Sequence, residues 1–366
     1  MQERPRRFPL PNRGRWVPAA VVTGLSALDL AVGGRAVLVG FLVVGPMLAA
    51  AWQGPRATAA VGCYTVIVSV LLGAPDDIWG TADHLLRSVG TTAGAAFAVW
   101  LAGHRVGREA ELAEVTRVAE AAQRAILRPP PSTLGELRIS ARYRSAASAS
   151  LVGGDMFEVV DTEWGVRALV GDVRGKGLEA VRTTALVLGA FRARAHTARD
   201  VGAVVEELDK CVARHVGAED FVTAVVVEIH GDELRLANAG HPPPVRLGSH
   251  ARTDELGDLA ALPLGLGTRP VTATFAFERG DRVAIFTDGL TEARDRSGHF
   301  LPLRTVATAL AKGSVESAAD RILAAVDDHT GGQAEDDLAL LVIERSAGAR
   351  VDRSPVDLMS GAGAVR

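Results

Sequence analysis

Residues 151–177, LVGGDMFEVVDTEWGVRALVGDVRGKG, constrain the fold most, because two short apolar runs each lie beside a glycine-rich turn that carries an aspartate. The acids are Asp155 and Asp172. Flanking glycines let the backbone turn sharply and let other atoms approach closely, so a carboxylate beside Gly153, Gly154 or Gly171 can stand bare at a strand end. Further on, RVAIFTDGLTEAR presents Asp288 after an apolar run, and AEDDLALLVIE presents Asp336 and Asp337 before another. Asp-Gly is also ordinary turn chemistry, so no one of these motifs is decisive by itself.

A chain of 366 residues suggests more than one domain, and its composition divides it. The first hundred residues are dense in Ala, Val, Leu and Gly, with charge mainly in short clusters, and the remainder has ordinary soluble composition. A net charge of -3 without a long basic stripe gives no sign of a nucleic-acid partner. Two cysteines are too few for a disulfide framework.

Residues 1–16, with five arginines and three prolines, read as a disordered basic arm. Four apolar runs follow: Val17–Val32, Ala36–Trp52, Ala57–Ala74 and Ser88–Gly103. Each is near the lower limit of the ~17–25 residues needed to cross a ~30 Å hydrocarbon core. Charge supports spanning: arginines precede the first run, Arg56 lies between the second and third, and His104, Arg105 and Arg108 follow the fourth, whereas the loop PDDIWGTADH is acidic. The basic segments are then cytoplasmic and the acidic loop external, with Arg35 an exception. A four-span domain over 17–103 places the remaining residues in the cytoplasm. Asp29, near the end of a short helix, is expected to reach the interface.

Residues 104–128 read as a linker helix stopped by RPPP, with Leu112, Val115, Ala119, Ala122 and Ile126 spaced as a helical seam over two heptads. From residue 129 the pattern predicts strands at about 137–146, 156–161 and 166–171, helices from Leu178 and Val201, a hairpin turning at Gly231 and Asp232, further strands in PVRLG, TATFAFERGDRVAIFT and LALLVIE, and helices near 302–312 and 315–330. Strand runs interspersed with helix pairs indicate an α+β domain with antiparallel sheets, followed by a disordered tail over 346–366. GDVRGKG lacks the spacing of a phosphate-binding P-loop. His241 reads as a turn residue, and Thr223 and Asn238 as hairpin residues lining the floor of a site. Lys176 is either a phosphate-attracting or a solvated loop lysine.

The ordered set GGD, GDVRGKG, NAGHPPP, LPLGL, GDRVAIFTDGLTEAR and DDLALLV resembles the metal-dependent (PPM-type) protein serine/threonine phosphatases of the SpoIIE and RsbU type, over roughly residues 120–345. Carboxylates without Cys or His suit Mn²⁺ or Mg²⁺. The resemblance implies two stacked antiparallel sheets flanked by helices over 129–345, and two ions. It implies that Asp172 bridges both ions, with the Val173 carbonyl on the second. Asp288 and Asp337 would complete the shell of the first, and Asp155 would hold metal-bound water or ligate directly. It further implies a phosphorylated anti-anti-sigma factor of the STAS type as substrate, and a linker helix through which homodimerisation and switching act. Met156, Phe157 and Arg174 depart from the family pattern and bear on substrate preference. The alternative function is a catalytically weak membrane receptor or scaffold that uses a phosphatase-like domain for binding. A transporter is disfavoured by the scarcity of polar groups within the spans.

Overall fold

The computed structural model describes residues 12–32, 39–74, 79–145, 153–217, 220–248, 253–257, 261–332 and 336–346. Most of the basic arm, the tail beyond Ser346, Arg35 and the acids of the loop at 76–77 lie outside them. The chain forms two compact units, Met1–Glu114 and Val115–Arg366.

The first unit contains helices α1 (Val17–Val32), α2 (Val44–Trp52), α3 (Pro55–Leu71) and most of α4 (Ala82–Ile126). Two helical stretches, Gly14–Val32 and Ala82–Ile126, are long and apolar enough to cross a membrane, whereas Gly40–Trp52 and Pro55–Leu71 are apolar but shorter. The unit's interior mixes small apolar clusters, such as Val22, Leu42 and Leu72, with polar side chains, and large apolar side chains face outward. Ser26, Asp29, Thr58, Thr65, Ser69 and Thr91 are buried, while Leu28, Leu30, Ile67, Leu86, Phe97 and Trp100 are exposed. Inward hydroxyls cap backbone carbonyls one turn back, as Thr65 does on Val61, and Thr91 donates to Ser69 across α3 and α4. Asp29 is among the buried residues. Hydropathy divides the sequence at Gly103, yet α4 runs on unbroken, since one glycine costs a helix only about 1 kcal/mol and no proline intervenes before the 129–131 run.

The second unit takes the last turns of α4 and continues through β1 (Thr133–Leu134), β2 (Leu137–Arg144), β3 (Met156–Thr162), β4 (Gly165–Val173), α5 (Leu178–Ala195), α6 (Val201–His215), β5 (Val222–His230), β6 (Glu233–Ala239), β7 (Val245–Leu247), β8 (Thr253–Glu255), β9 (Thr272–Ala276), β10 (Arg282–Phe286), α7 (Asp288–Thr291), α8 (Arg304–Leu310), α9 (Val315–Thr330) and β11 (Leu338–Arg345). The strands make two antiparallel sheets, ordered β1-β2-β11-β10-β7-β8 and β3-β4-β5-β6-β9. They are stacked face to face with helices outside, the α+β architecture expected.

Two-sided burial explains the nearly continuous apolar run of β11. Ala339, Leu341 and Ile343 enter the core between the sheets with Phe157, Val170, Val227 and Ile285. The alternate residues Leu338, Leu340 and Val342 pack under α8 and α9 with Val306, Leu310 and Ile322. In the other sheet, Leu169, Ala224 and Val226 meet Val187, Phe191, Val204 and Leu208 of α5 and α6. Fully buried Arg167 lies among them, held by Glu228 and by the Ala195 and Ala198 carbonyls. Its charge is tolerated there because a carboxylate and two carbonyls satisfy it.

Candidate metal centre

Antiparallel pairing brings the acids together. In one sheet Met156 pairs with Gly171, so the turn before β3, carrying Asp155, lies beside the end of β4, carrying Asp172. In the other sheet Phe286 pairs with Leu340, so the exit of β10, carrying Asp288, lies beside the entry to β11, carrying Asp337. Stacking the sheets puts both pairs at one edge of the sandwich. Asp155, Asp172 and Asp288 converge with one carboxylate oxygen each within 4.8 Å of the others. Asp337 lies outside that triad but beside it, since Asp337 Oδ2 would stand 1.8 Å from a Cβ placed on Gly153. Gly289, next to Asp288, is equally constrained, because a Cβ there would meet the Asp337 carbonyl oxygen at 1.9 Å. The Val173 carbonyl faces Gly154, 2.3 Å from the Cβ position of that glycine. Val173 is thus adjacent to the Asp155 turn, with its amide donating to the Gly154 carbonyl at 3.3 Å.

The electrostatics are those of a partly buried anionic cluster. Burial pushes the Asp172 carboxyl up to about 7, with repulsion from Asp288, Asp336 and Asp337 adding to the rise and a hydrogen bond with Asp155 opposing it. Burial, then the neighbouring Asp172, holds Asp155 well above the usual carboxylate range, against the pull of a hydrogen bond from Thr287. Asp288 is raised as well, by burial and then by Asp336 and Glu292. Three carboxylates so placed resist ionising together, and a divalent cation between them removes both the desolvation penalty and the repulsion. With only oxygen donors in the cluster, the hard ions Mn²⁺ and Mg²⁺ fit it, as the motifs led us to expect.

Several residues around the acids are not among those the motifs single out. Thr287 donates to Asp155 Oδ2 at 2.7 Å and accepts from the Ala339 amide at 2.9 Å, tying the β3 turn to the β10 exit and to β11 of the other sheet. Tyr143 donates to Asp337 Oδ2 at 3.0 Å, and Ser145 to Oδ1 at 3.2 Å. A threonine directly before the strand-end Asp288 was the one available clue; the others are ordinary in sequence. Lys176 forms a half-exposed ion pair with Asp336 at 2.9 Å, and nearby Arg174 lies 5.4 Å over the Phe221 ring. His241 is buried, and burial lowers its pKa to about 3, partly offset by the backbone at Phe286, so the ring is neutral at ordinary pH. Its backbone exchanges two 2.7 Å hydrogen bonds with the Asn238 side chain, and its Nδ1 lies 2.9 Å from Thr223 Oγ1. A neutral, buried imidazole of this kind holds the turn through its hydrogen bonds and is not a cationic acid at ordinary pH. Thr223 itself pairs with Asp172 across β4 and β5.

Stacked antiparallel sheets with acids at one edge and helices outside define the PP2C-type phosphatase fold. The same fold occurs in the SiaA-PP2C domain of Pseudomonas aeruginosa, which is 21% identical, aligns over 65% of this chain and 98% of that one, and superposes with a TM-score of 0.55. The chain belongs to the Stage II sporulation protein E (SpoIIE) family, whose model matches residues 162–346. A curated relative, phosphoserine phosphatase RsbU of Bacillus subtilis (strain 168), is 28% identical over 156 residues. That match covers 41% of this chain and 46% of the relative, so the chain spans about half the relative's length. The RsbU and RsbW domains of a Mycobacterium tuberculosis protein are 25% identical, over 58% of this chain and 61% of that one, with a TM-score of 0.49.

Proposed function

We propose that the chain is a membrane-anchored, metal-dependent phosphatase acting on phosphoserine or phosphothreonine in a protein. The observation that carries this reading is the convergence of Asp155, Asp172 and Asp288 within 4.8 Å at the edge of a SpoIIE-family sandwich. Asp172 would bridge two ions, Asp288 would bind the first with Asp337 beside it, the Val173 carbonyl would serve the second, and Asp155 would ligate or hold water. Divalent ions bound there supply an acidified water and neutralise charge at phosphorus. The chain's own part is to fix the acids before substrate arrives: Thr287 orients Asp155, and Tyr143 and Ser145 orient Asp337. Lys176, paired with Asp336 next to Asp337 and part-exposed, could exchange that partner for a substrate phosphate.

The family resemblance supports a STAS-type anti-anti-sigma phosphoprotein as substrate, within a partner-switching pathway. The exposed large apolar side chains of the first unit, and the alanines and hydroxyls among its buried residues, support membrane insertion, where helices pack through small and polar residues. Of the expected seam, Leu112 and Val115 are exposed and support pairing with a second copy, whereas Ala119, Ala122 and Ile126 pack on Val181 of α5.

The test is phosphate release by the detergent-solubilised chain from a phosphorylated STAS protein, with and without Mn²⁺. Mn²⁺-dependent release is expected. A folded, Mn²⁺-loaded chain that turns over no phosphoprotein would favour the binding-scaffold reading.

A further inference from the structure

We propose that Gln123, on the last turns of α4, is a positioning residue for the metal centre, and that it sets the affinity of that centre for its cation. The inference rests on the acidic cluster being the metal site, and it adds a residue that the motifs do not contain. Gln123 is only 6% exposed. Its Nε2 donates to Tyr143 Oη at 2.7 Å and to the Gly153 carbonyl at 3.2 Å. Both protons of one amide nitrogen are therefore used, on two segments that belong to different sheets.

Each segment leads to the acids in one step. Tyr143 Oη accepts from Gln123 and donates its own O–H to Asp337 Oδ2. Gly153 lies two residues before Asp155, and there is no room for a side chain between it and the Asp337 carboxylate. The polarity is consistent along the path, amide to phenol to carboxylate, and hydrogen bonds aligned this way strengthen one another in a buried setting. The helix carrying Gln123 is docked through Ala119, Ala122 and Ile126 on Val181 of α5, and Arg192 donates to the Ile126 carbonyl at 3.2 Å. The amide is thus delivered from a seated helix and not from a loop.

Gln123→Glu tests this with almost no change of volume. A carboxylate cannot donate to the Gly153 carbonyl, and it competes with Asp337 for the Tyr143 proton, so the path reverses. Outer residues that orient a metal site typically change affinity 10–100-fold when altered. Mn²⁺ binding to the full chain in detergent, measured by calorimetry, should weaken about tenfold or more in Gln123→Glu. Gln123→Met and Tyr143→Phe should each weaken it as well, and both serve if Gln123→Glu does not fold. Combining Gln123→Met with Tyr143→Phe should cost less than the sum of the two, because they share one contact. Phosphate release should recover toward the wild-type rate at saturating Mn²⁺, which a general loss of folded protein would not permit. Wild-type Mn²⁺ affinity in folded Gln123→Met and Tyr143→Phe would overturn the proposal and leave the phosphatase reading standing. A wild-type chain that binds no Mn²⁺ would overturn both.

Discussion

Thr287 donates its hydroxyl proton to Asp155 across the gap between the two sheets, and the same oxygen accepts from the Ala339 amide. One side chain thereby fixes an acid of one sheet against the β10 exit and β11 of the other. Thr287→Val keeps the shape but strands a buried carboxyl and a buried amide, each at a cost of about 1–3 kcal/mol. Mn²⁺ affinity should fall about tenfold and thermal stability should drop, while Thr287→Ser should retain most of both. Calorimetry and thermal unfolding on the three proteins would decide it; equal values for Val and Ser would contradict the role.

Gly153 and Gly289 are glycines because Asp337 leaves them no room. Alanine at either position must displace the Asp337 carboxylate or backbone. Gly153→Ala acts on the carboxylate and should chiefly weaken metal binding, whereas Gly289→Ala meets backbone and should lower the unfolding temperature too. The measurements are Mn²⁺ titration and a thermal melt, and an unaltered melt for Gly289→Ala would refute the steric argument.

The raised carboxyls set a pH dependence. Unfolded, an aspartate titrates near 3.9; folded and without metal, Asp172 titrates at about 7 and Asp155 and Asp288 are shifted in the same direction. Between those values the folded chain binds more protons than the unfolded one. These groups therefore make the metal-free chain less stable as pH rises from about 4 toward 7, with no further loss from Asp172 above that. Mn²⁺ competes with the same protons, so its affinity should rise over the window. Thermal melts in chelator should show that Asp172→Asn loses less stability than wild type between about pH 5 and pH 8. Parallel curves for the two proteins would contradict the assignment.

Asp172 and Asp337 should respond differently to excess metal. Asp172→Asn removes a charge from the centre of the triad and should abolish Mn²⁺-dependent phosphate release at any Mn²⁺ concentration, while leaving the metal-free fold intact or slightly more stable. Asp337→Asn, beside the triad and supported by Tyr143 and Ser145, should be partly rescued by added Mn²⁺. Phosphate release measured across a Mn²⁺ series distinguishes them, and near-normal turnover by Asp172→Asn would remove the bridging role.

Topology offers a separate check. Reporters fused after Gly103 or at the C-terminus should read cytoplasmic, and one inserted near Trp79, exposed before α4, should read external. A cytoplasmic reading at Trp79 would exclude the four-span arrangement.

Most elements of the second unit are legible in the sequence, because those signals are local: the hairpin at Gly231 and Asp232, the unbroken run of β11, and α9 at Val315–Thr330 are each written in a few adjacent residues, whereas the short β1, β8 and α7 are not. The sequence also located the acids at strand ends beside glycines. Tertiary structure alone decided which acids meet. Asp155, Asp172 and Asp288 converge only through two antiparallel registers and the stacking of one sheet on the other, whereas Asp337 is set aside by Tyr143 and Ser145. It also decided that Asp29 is buried and that the helix begun at Ala82 continues to Gln123 and the metal centre. A threonine, a tyrosine and a glutamine look alike wherever they occur in a chain. What each donates to depends on partners brought near by the fold, from 20 residues away for Gln123 and Tyr143 to 194 for Tyr143 and Asp337.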